Sequence, residues 1–165
     1  SQVAKALVIG RVQYCAWVTH HARFPLEQQD GQLLGPPGDD LSIKVALNDL
    51  ARTLLGIRRA DRWHTVDLMN KANLPTLNEI VVKQSAVAAW KAVSISTDPL
   101  RNTLLPFDDR TRGASLNLRL PASTRCIAAT NMATAWNSSA DLRCAKTLSE
   151  AKREANKMAN MARHL

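Results

Sequence analysis

The stretch Leu41-Ser-Ile-Lys-Val-Ala-Leu-Asn-Asp-Leu-Ala-Arg-Thr-Leu-Leu-Gly56 reads as an amphipathic helix closed by a glycine. Ile43, Ala46, Leu47, Leu50, Ala51, Leu54 and Leu55 recur three and four positions apart and form one apolar stripe. Asp40 stands where a carboxylate accepts a bond from an unpaired amide of the first turn. Gly56 stands where the exit requires a left-handed backbone. Hydrophobic residues make up 45% of the chain but aromatics only 4%. The core must therefore be built from Leu, Val, Ile and Ala. Leucine and alanine lose little on entering a helix, so the expected fold class is mainly α, a small irregular helical bundle.

Upstream, residues 2 to about 20 read as a helix, with Val3, Ala6, Leu7, Gly10, Tyr14, Trp17 and Val18 as its apolar face. A loop follows to Asp39, with Gly35-Pro-Pro-Gly38 as its strongest turn signal. Downstream, a short helix is expected over Val66–Ala72. Thr76-Leu-Asn-Glu79 is a capping box that opens a helix to about Val93, with Leu77, Ile80, Val81, Val87 and Ala88 on one side and Trp90 beside them. Residues 94 to 124 change character. Pro99, Pro106, Gly113 and Pro121 break any long helix, and Arg101, Arg110, Arg112 and Arg119 outnumber the aspartates. This is a basic connector, in which the alternation over Leu116–Leu120 reads as a short strand. A helix is expected from Ile127 to Trp136. A last one starts at Leu148 behind a second capping box, Thr147-Leu-Ser-Glu150. Its inner face is Leu148, Ala151, Ala155, Met158, Ala159 and Ala162; Lys152, Arg153 and Lys157 lie outside. The organisation is thus a helical domain over 1–93, a basic linker over 94–126 and a C-terminal helical pair over 127–165.

The 165 residues carry a net charge of +8 and a pI of about 9.9. Such an excess suits a polyanion such as RNA, DNA or an acidic membrane surface, or it serves only solubility. The three cysteines, Cys15, Cys126 and Cys144, have no disulfide spacing. They read as small buried hydrophobes in a reducing, intracellular (nuclear or cytoplasmic) setting. No apolar run approaches the roughly 20 residues that span a bilayer. The chain opens on Ser1, so it is read as processed or cut from something longer.

No constellation carries chemistry. His20 and His21 are adjacent, and neighbouring helical side chains point about 100° apart, a poor start for a metal site. Asp39-Asp40 is explained by capping. Phe107-Asp108-Asp109 lacks the spacing and the flanking strands of a two-metal site. There is no Gly-x-Ser-x-Gly and no phosphate-binding glycine loop. The catalytic and metal sets are therefore empty, and no cofactor is expected. The positive signal is basic: Arg52 on the capped helix, then Arg58, Arg59 and Arg62 directly after Gly56, with Trp63 and His64 next. Closely set arginines bridge successive phosphates, and a tryptophan stacks on a base or sugar. The bland counterparts are cations settling at a helix C-terminus and Trp63 as a core anchor.

Read in series, these segments resemble the region after the palm of non-LTR retrotransposon reverse transcriptases of the jockey-like kind. Ala6-Leu-Val-Ile-Gly-Arg-Val-Gln-Tyr14 with Trp17 is similar to the helix that follows the palm. Asn48, Asp49, Leu50, Ala51, Arg52, Gly56, Asp61 and Arg62 match the next helix and its exit. Leu68 to Asn78 and Ala89-Trp-Lys-Ala92 follow in order. Trp136, Asn137, Leu142, Arg143, Thr147 and Leu148 match the closing segment. The resemblance implies a thumb-like helical domain that grips an RNA or RNA/DNA template–primer duplex through its backbone. The parent would be an RNA-directed DNA polymerase using magnesium. Fingers, palm and every catalytic aspartate are missing here, so the implied role is non-catalytic. A helical protein-interaction module and a relic fragment without selected function are the alternatives.

Overall fold

The computed structural model describes residues 2–20, 22–24, 41–95, 97–100 and 127–163. Over these residues the chain is mainly α, a small helical bundle. The helices are α1 (Gln2–Thr19), α2 (Leu41–Leu55), α3 (Thr65–Ala72), α4 (Leu77–Ser94), α5 (Ile127–Ser138), α6 (Ala140–Cys144) and α7 (Leu148–Ala162). The expectations for Asp39 and Asp40, Gly35–Gly38, Phe107–Asp109 and Leu116–Leu120 lie outside the described residues.

α4 is the central element, and its two ends serve two cores. Leu77, Ile80 and Val81 pack with Leu47 and Ala51 of α2, with Leu68, Met69 and Ala72 of α3, and with Ala16 of α1. Further along, Val82, Ala86, Ala89 and Trp90 pack with Met132 and Trp136 of α5, Leu142 of α6, and Ala151, Ala155 and Met158 of α7. The helices on either side of residues 101–126 therefore share a core. α4 packs most extensively on α7. Ala86, Ala89 and Ala92 on one helix and Ala151, Ala155 and Ala162 on the other explain this, because residues without bulk let two backbones approach.

Both capping boxes form. The Thr76 hydroxyl accepts the Glu79 amide at 3.2 Å, and Glu79 Oε2 accepts the Thr76 amide at 2.6 Å. At α7, Thr147 Oγ1 accepts the Glu150 amide at 3.2 Å, and Glu150 Oε2 accepts the amides of Lys146 and Thr147 at 2.8 and 3.2 Å. Two orphan donors of each helix start are thus satisfied. Gly56 takes φ +66°, the left-handed exit that closes α2.

The inward face of α1 differs from the sequence expectation. Val8, Ile9, Val12 and Ala16 face the core. Ala6, Leu7, Gly10 and Val18 face outward, with Leu7 65% exposed. α1 is apolar on nearly all sides, so periodicity alone does not select a face; the branched side chains fill the space beside α3 and α4 better than Ala6 and Gly10 would. Cys144 also departs from expectation. It is exposed, because on the short α6 the inward position goes to Leu142.

The ends of several helices are closed by side chains from elsewhere. Asn131 of α5 donates Nδ2 to the carbonyls of Trp17 and His20 at 2.9 and 2.8 Å, and its Oδ1 accepts the Ala22 amide at 3.0 Å. Asn78 donates Nδ2 to the Ala162 and Arg23 carbonyls and accepts the Arg23 amide. Lys5 Nζ donates to the Ala72 carbonyl at 2.9 Å. Arg143 closes α5 by donating to Trp136 and Asn137. Arg163 donates to the Leu74 carbonyl and pairs with buried Glu79.

α7 carries two carboxylates held below the ordinary glutamate value of 4.5. Glu150 is lowered first by the backbone amides of Lys146 and Thr147. Glu154, buried on the inner face, is lowered first by its hydrogen bond from Lys157 at 2.9 Å. A lowered folded pKa means the stabilisation is complete above the unfolded value and is lost as pH falls through the folded one. The thermal midpoint is therefore expected to decline as pH is taken below 4.5. Glu150→Gln/Glu154→Gln should make that decline shallower; an equally steep decline in the double variant would rule these two groups out as its source.

Candidate nucleic-acid interface

The five residues singled out by sequence all lie on or just after the end of α2, but they do different things. Arg52, half-buried in the last turn of α2, turns toward the loop that follows. Its Nη1 donates to the carbonyls of Arg58 and Asp61 at 2.6 and 3.0 Å. Gly56 makes the turn, the Ile57 amide returns to the Arg52 carbonyl at 3.0 Å, and the Asp61 amide donates to the Arg58 carbonyl at 3.1 Å. Residues 56–63 thus form a stapled turn rather than a loose link.

Arg59 reaches back to α2. Its Nε donates to Asp49 Oδ1 at 3.1 Å and its Nη2 pairs with Asp49 Oδ2, a two-pronged contact. The hydrogen bond from Arg59 to Asp49, and then the carboxylate's charge, hold the guanidinium above its ordinary value. Both side chains are open to solvent, Arg59 76% and Asp49 38% exposed, so the pair adds little to stability.

Arg58 and Arg62 are exposed, and neither guanidinium has a hydrogen-bond or ion-pair partner among the described residues. Trp63 is 38% exposed rather than a core anchor. Lys71, at the end of α3, places Nζ 4.6 Å from its ring centroid, a cation–π contact that ties the turn to α3. His64 precedes α3 without a side-chain cap bond. The turn therefore displays two uncommitted guanidinium groups, a third in exchangeable partnership, and an indole.

Two features were not read from sequence. Arg52 as a staple has no sequence signal, since its acceptors are carbonyls whose positions depend on the turn. Lys71 sits eight positions beyond Trp63, and the course of the turn into α3 brings them together. A separate groove of about 350 Å³ lies between α1, α4 and α7, lined by Gln13, Lys83, Gln84, Asn156 and Asn160 above Ile80 and Ala159. Among the described residues, no three His, Cys, Asp or Glu side chains converge as metal ligands, and no helix is long and apolar enough to cross a membrane.

Searches of protein-family models, of curated proteins and of solved structures return no match to this chain.

Proposed function

We propose that this chain is a non-catalytic nucleic-acid-binding module that grips a duplex through its sugar–phosphate backbone. The observation that carries this reading is the turn after α2, where Arg58 and Arg62 extend into solvent from a backbone stapled by Arg52. Guanidinium groups on a fixed backbone lose less freedom on meeting phosphates than those on a loose one, and the planar fork matches a phosphate. Arg52 acts here as a positioning residue. Trp63, backed by Lys71, offers its open side to a base or sugar. The net charge of +8 supports the same partner by drawing polyanions toward the surface.

The resemblance to the post-palm region of non-LTR retrotransposon reverse transcriptases narrows the proposal. The duplex would be an RNA or RNA/DNA template–primer, inside the cell, and the magnesium-dependent chemistry would belong to the missing fingers and palm of the parent. A second reading, a helical protein-interaction module, is favoured by one observation: the outward apolar face of α1 at Leu7 and Val18.

The test is a salt titration. Binding to a fluorescein-labelled DNA duplex, followed by anisotropy at increasing KCl, should weaken steeply. Each phosphate contact contributes about 0.9 to the slope of log K against log salt, so Arg58→Ala/Arg62→Ala should lower that slope by about 1.8. A slope equal to that of the unaltered chain removes this surface from the reading.

A further inference from the structure

The three arginines that follow Gly56 are not equivalent, and the difference lies in one carboxylate. Among the described residues Arg58 and Arg62 have no partner, whereas Arg59 is engaged on both prongs by Asp49 of α2. A carboxylate and a phosphate present the same pair of acceptor oxygens to a guanidinium. Asp49 therefore occupies the very group that a third phosphate would require. Arg59 is largely exposed and Asp49 partly so, so water screens the pair and a phosphate can approach the guanidinium from the solvent side.

We infer that Asp49 is an internal rival of the nucleic-acid backbone, withholding Arg59 so that the turn presents two phosphate ligands at rest and acquires a third only when a phosphate displaces the carboxylate. This rests on the proposed duplex grip and adds to it a built-in restraint on affinity.

The consequence is a gain of function by removal of a charge. Asp49→Asn keeps the size of the side chain and leaves the backbone carbonyl that accepts the Thr53 hydroxyl, so α2 stays intact, as far-UV circular dichroism checks. In the anisotropy assay, with an RNA–DNA hybrid and a DNA duplex as probes, Asp49→Asn should tighten binding about three- to fivefold, the scale of one surface ion pair. It should also raise the salt slope on the DNA duplex by up to about 0.9, the share of one phosphate contact that Asp49 withholds from the unaltered complex. Adding Arg59→Ala to Asp49→Asn should cancel that extra slope. Asp67→Asn on α3 makes the same change in net charge without releasing an arginine, and its slope should stay at that of the unaltered chain.

An unchanged slope in Asp49→Asn, or an equal rise in Asp67→Asn, overturns the inference while leaving the duplex grip standing if Arg58→Ala/Arg62→Ala still lowers the slope. Binding by the unaltered chain that does not weaken with salt overturns both.

Discussion

Asn131→Ala is expected to destabilise the bundle by about 2–4 kcal/mol, a cost set by the backbone bonds it removes at one buried and two half-buried groups. Asn131 is 2% exposed and bonds three backbone groups where α1 ends: the Trp17 and His20 carbonyls and the Ala22 amide. Alanine can make none of these bonds; a buried group losing its partner costs about 1–3 kcal/mol, in full at the His20 carbonyl and in part at the half-buried Trp17 carbonyl and Ala22 amide. Asn131→Asp separates the donors from the acceptor. It keeps the bond from the Ala22 amide but turns a carboxylate toward two carbonyls, so at neutral pH it should be at least as damaging as alanine. Urea unfolding followed by circular dichroism measures both. A loss below about 1 kcal/mol for alanine, no more than an ordinary single hydrogen bond, would mean that α1 ends independently of α5.

Trp90→Ala should have a loss of similar size, by a different route. Trp90 is 6% exposed on α4 and packs in the core shared with Met132, Trp136 and Leu142. Its Nε1 donates to the Ala145 carbonyl at 2.9 Å, fixing the junction between α6 and α7. Truncating a buried tryptophan costs about 3–5 kcal/mol because the surroundings collapse only partly into the cavity. Trp90→Phe keeps most of the ring and gives up the hydrogen bond, for a loss nearer about 1–2 kcal/mol. If the phenylalanine variant fell as far as the alanine variant in the same urea titration, the polar contact rather than the packing would be the main support at this junction.

These two side chains also mark the limit of what the sequence discloses. The starts of α4 and α7 are legible because a capping box is local: Thr76 with Glu79 and Thr147 with Glu150 lie three residues apart and need nothing beyond their own turn. The end of α2 is legible because Gly56 adopts a backbone that side chains disfavour. The face of α1 is not legible, since Val8, Ile9 and Val12 on one side compete with Leu7 and Val18 on the other. α6 escapes notice because five residues behind Ser139 make too short a pattern. Glu154 lies inside, and no local pattern announces it; its neighbours Arg153 and Lys157 pair with it there. At the candidate interface, the basic cluster is visible in the sequence as composition. The division of labour within it, with Arg52 on carbonyls, Arg59 on Asp49, and Arg58 and Arg62 in solvent, depends on the course of the turn and leaves no trace in residue type.

The remote closure of helix ends bears on how the chain reaches its native state. α1 is finished by a residue 111 positions beyond His20, α7 by one 84 positions before Ala162, and α3 by one 67 positions before Ala72. The end of α1 cannot be completed until Asn131 arrives, whereas α3 and α7 are closed by residues that precede them but lie far back in the chain. Contacts so far apart in sequence slow the search for the native arrangement, even in a helical protein. They also join its parts: once Asn131, Asn78 and Lys5 dock, loosening α5, α4 or α1 exposes carbonyls at the end of α1, α7 or α3 respectively. The bundle should accordingly melt as a single event, with no surviving half.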